Sequence, residues 1–135
     1  MGTAKDFAQG LKRFNDVARK KATRRLRRVA QKALEAIVDG TPVLTGCCKG
    51  NWNVSTDGAL KRQFDAKKLD PNGAATVAAG RAKIESAVLG VAVYIENSTP
   101  YVIKLENGGS RQKPPGAMVA QPLATLKAAV EAGAT

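Results

Sequence analysis

YIENSTPYVIKLENGGSRQKPPGAMV, residues 94–119, is the stretch whose reading decides the fold of this chain. It opens at the end of an alternating strand, with Val91, Val93 and Ile95 on one face and Ala92, Tyr94 and Glu96 on the other. Pro100 and Tyr101 turn the chain, and residues 101–106 suit one or two helical turns closed by Asn107-Gly108-Gly109. Lys113-Pro114-Pro115-Gly116 then reads as a stiff extended segment, because each proline fixes its own φ and has no N–H to give a helix or a ladder. Strand, turn, short helix and rigid Gly/Pro loop, in that order, suggest an assembly part rather than an enzyme.

Upstream, residues 51–55 alternate as a short strand, with Trp52 and Val54 on one face. Thr41-Pro42-Val43-Leu44-Thr45-Gly46 reads as the connector into that strand. Proline fixes one dihedral, glycine permits a positive one, and the threonine hydroxyls can hold the backbone. Trp52, the only tryptophan, is expected to pack under the first helix. Residues 57–73 are polar, with Asp70-Pro71-Asn72-Gly73 as a turn, and suggest a mobile loop. Residues 74–87 read as a second helix carrying Val77 and Ile84, with Val88 next in that spacing. Residues 117–132 read as a C-terminal helix with Val119, Leu123, Leu126 and Val130 on one face.

From residue 4 to residue 38 the pattern is helical. Phe7, Leu11, Phe14, Ala18, Ala22, Leu26, Val29, Ala33 and Ile37 recur at three- and four-residue steps, which suggests one continuous apolar stripe. Gly40 and Pro42 supply the stop. A helix of about 35 residues spans roughly 50 Å, more than a domain this small needs. Its surplus surface is expected to be covered by a neighbouring subunit. The fold class is therefore α+β: a long basic N-terminal helix, a small and mainly antiparallel β-sheet, and further helices including a C-terminal one. With 135 residues the chain suits a single domain. It divides into the basic helix (1–40), a motif-bearing core (41–119) and the C-terminal helix (117–132).

Net charge is +11, and residues 1–40 hold eleven Lys/Arg against four Asp/Glu. Seven basic residues fall within positions 19–28. At 100° per residue Arg13, Lys20, Arg24, Arg27 and Arg28 gather opposite the apolar stripe, with Arg25 in the same cluster. Such a ridge suits phosphates or an acidic protein face, and equally a solvated surface. Sequence-reading DNA modules find no support: there is no helix-turn-helix pair, no zinc-finger ligand set and no aromatic residue inside the basic cluster.

Catalysis finds little support either. The chain has no histidine, which removes the commonest general base and the usual hydrolase triads. No Gly-rich phosphate loop occurs. Cys47 and Cys48 are adjacent, a spacing that strains a mutual disulfide, and no second cysteine pair exists to complete a zinc site. Free thiols are expected, with no metal and no cofactor. No run of 18 apolar residues is present, and no membrane partner is expected.

Taken in order, Thr41-Pro42-Val43-x-Thr45-Gly46, Asn51-Trp52, Tyr94-Ile95-x-Asn97, Pro100-Tyr101, Leu105-Glu106-x-Gly108 and Ser110-x-Gln112-x-Pro114-x-Gly116-x-Met118-Val119 resemble the tail-completion family of long-tailed bacteriophages, the head–tail joining or neck proteins. The resemblance covers residues 41–119, and a basic N-terminal helix fits it. Two positions depart from the family pattern: Leu44 stands where a small acidic or polar residue is expected, and Cys47-Cys48 where a basic one is common.

The resemblance implies a non-enzymatic virion protein at the head–tail junction, made in the cytoplasm of a bacterial host. It implies a homo-oligomeric ring, with a hexamer preferred, around the DNA exit channel. Its neighbours would be the tail tube or tail-terminator protein and the head connector or adaptor protein. Genomic DNA would be touched only nonspecifically, through Arg13, Lys20, Arg24, Arg25, Arg27 and Arg28. The loop from Gly108 to Met118, with Ser110, Arg111, Gln112, Lys113, Pro114 and Pro115, is the expected subunit or tube contact. Thr41, Pro42, Thr45, Gly46, Trp52, Tyr94, Asn97, Pro100, Tyr101 and Glu106 are the expected structural motif, with residues 94–97 in the core. A tail-terminator or minor capsid protein, or a free nonspecific nucleic-acid-binding protein, remains the alternative.

Overall fold

The computed structural model describes residues 2–58 and 63–133, and its first element is a helix of 37 residues, α1 (Ala4–Gly40). A capping box starts it: Thr3 Oγ1 accepts from the Asp6 amide at 3.2 Å, and Asp6 Oδ2 accepts from the Thr3 amide at 3.0 Å. Nothing breaks the helix until Thr41 turns to extended backbone (φ −77°, ψ 126°), one residue before Pro42. Six short elements follow. They are α2 (Cys47–Gly50), β1 (Trp52–Ser55), α3 (Ala74–Ile84), β2 (Tyr94–Asn97), α4 (Val102–Glu106) and α5 (Ala120–Glu131). The architecture is α+β, as the sequence pattern indicates.

β1 and β2 form a two-stranded antiparallel sheet in the register Trp52↔Asn97, Asn53↔Glu96, Val54↔Ile95 and Ser55↔Tyr94. Trp52, Val54 and Ile95 share the face that meets the helices, as period-two alternation requires. Against it pack Ala30, Leu34, Ile37 and Val38 of α1, Ile84 of α3, and Met118 just ahead of α5. Gly80 lets α3 come close, since a Cβ there would strike side-chain carbons of both Leu34 and Val54.

Only the C-terminal part of α1 enters this core. Its buried residues begin at Ala30, and residues 11–21 are all exposed. The single stripe expected from the sequence divides in two. At 100° per residue Ile37 lies about 120° and Leu34 about 180° round the helix from Phe7, so the apolar pattern winds round α1. Its far end, from Phe7 to Val17, stands uncovered.

Other boundaries shift. The second strand is Tyr94–Asn97 rather than a run from residue 91, and Val91 is exposed. α2 was not expected, being a single turn between the 41–46 connector and β1. Of the polar stretch 57–73, residues 59–62 lie outside the described residues. The rest is tied down: the Asp70 amide donates to Gly46 O at 3.1 Å, and the Asn51 side chain bonds Asp65 on both sides. On α5, Leu126 and Val130 are partly covered, but Leu123 is exposed.

Candidate functional site

The separated sequence motifs meet round a cleft of about 500 Å³, walled by the 42–48 segment, Tyr101, Lys104, Leu105 and residues 109–112. Four sets of hydrogen bonds close that assembly. In the first, the buried Thr41 hydroxyl donates to Ile37 O at 2.8 Å and accepts from Trp52 Nε1 at 2.8 Å. It thereby serves a helix-end carbonyl and an indole N–H at once, both of which need a partner in the interior.

In the second, Gln112 binds the Val43 backbone with both ends of its amide. Val43 N–H donates to Oε1 at 2.8 Å, and Nε2 donates to Val43 O. In the third, Asn97 Nδ2 donates to Cys48 O at 2.8 Å, while its Oδ1 accepts from the Thr99 amide and hydroxyl. In the fourth, the Glu106 carboxylate accepts from the amides of Val119 (3.3 Å) and Ala120 (3.2 Å). A negative group there serves free N–H groups and the positive end of the dipole of α5, whose own N-cap residue, Val119, makes no side-chain cap bond.

Gly46 sits where these pieces crowd. Its φ of 86° favours glycine, and a Cβ would lie 2.5 Å from Pro71 N. Thr45 Oγ1 accepts from the Cys47 amide at 3.3 Å. The motif residues Thr41, Thr45, Gly46, Trp52, Asn97 and Glu106 are thus brought together as joints between segments.

Two expectations need correction. Met118 is not a contact residue: only 2% of it is exposed, because it fills the centre of the core beside Gly40. Residues 94–97 are not wholly core, since Tyr94 is exposed; its side of the strand faces away from the helices. The expected contact loop stays largely at the surface: Gln112 is exposed although both ends of its amide bind Val43, and Pro115 packs over Gly108. Arg111, Pro114 and Pro115 keep exposed surface, while Ser110 and Lys113 are half-buried.

The basic cluster also divides. Arg27 is half-buried and its Nε donates to Ala87 O at 2.9 Å; Arg25 Nη2 donates to Val130 O at 3.0 Å. Both guanidiniums lie at C-terminal ends, just past α3 and in the last turn of α5, where a cation suits the helix dipole. Arg13, Lys20, Arg24 and Arg28 are exposed. Lys21, Arg24, Arg25 and Arg28 border a shallow depression of about 400 Å³.

Sequence reasoning missed two features. Asn51, quoted only as part of the Asn51-Trp52 motif and given no role there, is the buried C-cap of α2 and reaches Cys47 O at 2.7 Å and Asp65 O at 3.0 Å, fastening the 63–73 segment. Leu44 is 95% exposed on the cleft's rim, where Tyr101 also lies, and Ile103 is exposed on α4. The position where the chain departs from the expected pattern is therefore its most prominent surface hydrophobe.

The thiols of Cys47 and Cys48 are free and buried. Burial pushes the Cys48 thiol above its ordinary value, against hydrogen bonds from Thr99 and Asn97 that pull it down. A thiol kept protonated is a poor nucleophile and a poor metal ligand. Among the described residues no cluster of three His, Cys, Asp or Glu side chains is placed to hold a metal ion. No helix among them is long and apolar enough to cross a membrane. Compared with known protein families, curated proteins and solved structures, the chain matches none.

Proposed function

We propose that this chain is a structural component of a bacteriophage neck, a tail-completion protein whose copies form a ring between tail tube and head connector. The observation that carries the reading is the convergence of the motif residues. Thr41 with Trp52, Val43 with Gln112, Cys48 with Asn97 and Glu106 with the start of α5 are all joints between distant segments. Side chains spent on fixing one backbone shape suit a part that must present the same surface in every copy of a ring. A catalytic site would need polar groups converging on open space.

The exposed surfaces support assembly as well. Leu44 and Tyr101 at the cleft, and the bare end of α1, are separate apolar surfaces that two different neighbours could cover. A closed ring needs such unlike faces, because each subunit meets the next heterologously. In this reading the protein has no enzymatic activity, sits at the head–tail junction of the virion, and meets DNA only through exposed basic residues of α1.

The test is genetic and structural. Loss of the gene from its phage should leave DNA-filled heads and separate tails, and a plasmid copy should restore joined particles. Normal particles without the protein would end this reading. Tails of abnormal length would point instead to a tail-terminator.

A further inference from the structure

The uncovered N-terminal half of α1 carries Phe7, Leu11, Phe14 and Val17 at 70%, 54%, 74% and 53% exposure. Successive steps of four, three and three residues hold these four within about 120° of the helix circumference. Ala18 lies in the middle of the same face. Together the four side chains present on the order of 450 Å² of apolar surface, as large as the biggest patch usual on a monomer.

Most of the arm's charges are placed away from that face; Lys21 is the exception, about 40° round from Phe7 at the C-terminal end of the stripe. Lys5, Lys12, Arg13, Arg19 and Lys20 all lie about 120–160° round the helix from Phe7. An amphipathic helix that lies on a lipid surface is rich in Lys and Arg too, but its cations work best where they reach the headgroups beside the buried face. Here five of the six cations of residues 4–22 lie off the apolar face, most of them opposite it, and Lys21 alone sits on it. An acidic protein groove closing on the stripe would also find few cations to pair with. The occupant that asks for the least charge at the seam is another copy of the same stripe, with Lys21 at its outer end.

Register supports that occupant. When two copies lie antiparallel with positions summing to 25, Phe7 of one meets Ala18 of the other, and Leu11 meets Phe14. A large side chain then faces the smallest one at both ends, and a Leu–Phe pair fills each half of the centre. The same arrangement sends the dense basic segments, residues 19–28, to opposite ends of the pair, where parallel packing would lay them side by side. Two stripes would bury about 900 Å² of apolar surface. That matches the apolar share of a standard interface of roughly 1,600 Å².

We propose that residues 4–22 are a self-association helix through which two copies of the chain pair antiparallel, Phe7 against Ala18 and Leu11 against Phe14. The pair is isologous, and it does not depend on the neck reading: it concerns the free protein, and a protein of any function with this helix would form it.

Light scattering on the full chain at tens of micromolar tests it first. The expected mass is twice 14.2 kDa, and Phe14→Glu should weaken the pair by at least about tenfold with unchanged helix content by circular dichroism. Copies carrying Phe7→Cys mixed with copies carrying Ala18→Cys should then form a disulfide-linked dimer, while neither variant alone does. Phe7→Cys copies that cross-link to each other would mean parallel packing and overturn the proposal, since antiparallel register holds those positions about 16 Å apart along the axis. A monomer at these concentrations would overturn it as well. So would a monomer that co-sediments with phosphatidylglycerol vesicles and loses that binding on Phe14→Glu.

Discussion

Replacing Thr41 by Val isolates the joint at the heart of the fold. The two side chains have nearly the same shape, and valine accepts the extended backbone found at residue 41, so no cavity and no strain are introduced. What goes is one hydroxyl in a place almost without solvent. The Trp52 indole N–H loses its acceptor at 2.8 Å, and the Ile37 carbonyl loses its donor at 2.8 Å. The Thr41 amide does not stand in, because it donates to Val38 O. Each buried polar group left without a partner costs about 1–3 kcal/mol, so Thr41→Val should destabilise the chain by about 2–4 kcal/mol. With a urea m-value of about 2 kcal/mol/M, the midpoint would fall by about 1–2 M at unchanged m. Trp52 is the single tryptophan, so its fluorescence reports directly on the site being altered. Thr41→Ser keeps both hydrogen bonds, loses one methyl and should cost about 1 kcal/mol. A Thr41→Val protein within 0.5 kcal/mol of the parent, or equal to Thr41→Ser, would refute the account of Thr41 as a buried joint.

Gln112→Glu removes a donor and sets a carboxylate against Val43 O, so hydrogen exchange at residues 43–46 and 109–112 should rise together; protection that stays as in the parent would refute the coupling of these two loops. Glu106→Gln keeps one acceptor oxygen, but removes the charge at the start of α5 and sets an NH2 against one of the two amides, and should cost about 1–2 kcal/mol in urea titrations, less at high salt. Burial raises the Asp70 carboxyl, but donors from Thr76 and the amides of Ala75 and Gly73 outweigh it and hold the group below its usual value. A carboxylate depressed in the folded state stabilises above the unfolded pKa of about 3.9, and that contribution is lost as pH falls through the folded value. Asp70→Asn should therefore lower the urea midpoint at pH 6 and converge on the parent near pH 2; parallel curves across that range would show that the charge contributes nothing. For duplex DNA, the four expected cations other than the backbone-bound Arg25 and Arg27 predict a slope of log K against log salt of about −3.6, whereas all six would give about −5.4.

The inward faces of the two strands, Trp52 with Val54 and Ile95 on its own strand, could be read from alternation, because one buried face forces period two whatever else the chain does. The C-terminal stop of α1 was equally legible from Gly40 and Pro42. The direction of its apolar face was not. Phe7 to Ile37 takes eight steps over thirty residues, about 3.75 per step against 3.6 per turn, so a stripe that looks straight in sequence lags by about 120° in space. The motif residues could be named, but not their partners, since Val43 with Gln112 spans 69 positions and nothing local encodes that meeting. Arg25 and Arg27 were indistinguishable from their neighbours for the same reason. Their roles depend on where two later helices happen to end.

That division of the arginines bears on how one helix could serve two tasks. Arg25 and Arg27 hold α5 and the end of α3 against α1, which fixes where the body stops and the free arm begins. Beyond that point the arm has an apolar face about Phe7 and Phe14 and a basic face holding Arg13 and Lys20, about 120–140° apart. Covering the first with a second copy leaves the second in solvent, so pairing and polyanion contact would not compete for the same atoms. If the arms instead met inside a ring with their stripes together, the cations would point outward from the bundle. A basic lining for the channel would then require each arm to turn its apolar face away from the axis, towards a neighbouring protein. The same cross-linked cysteines that report register in the free protein, applied to assembled necks, distinguish these two orientations.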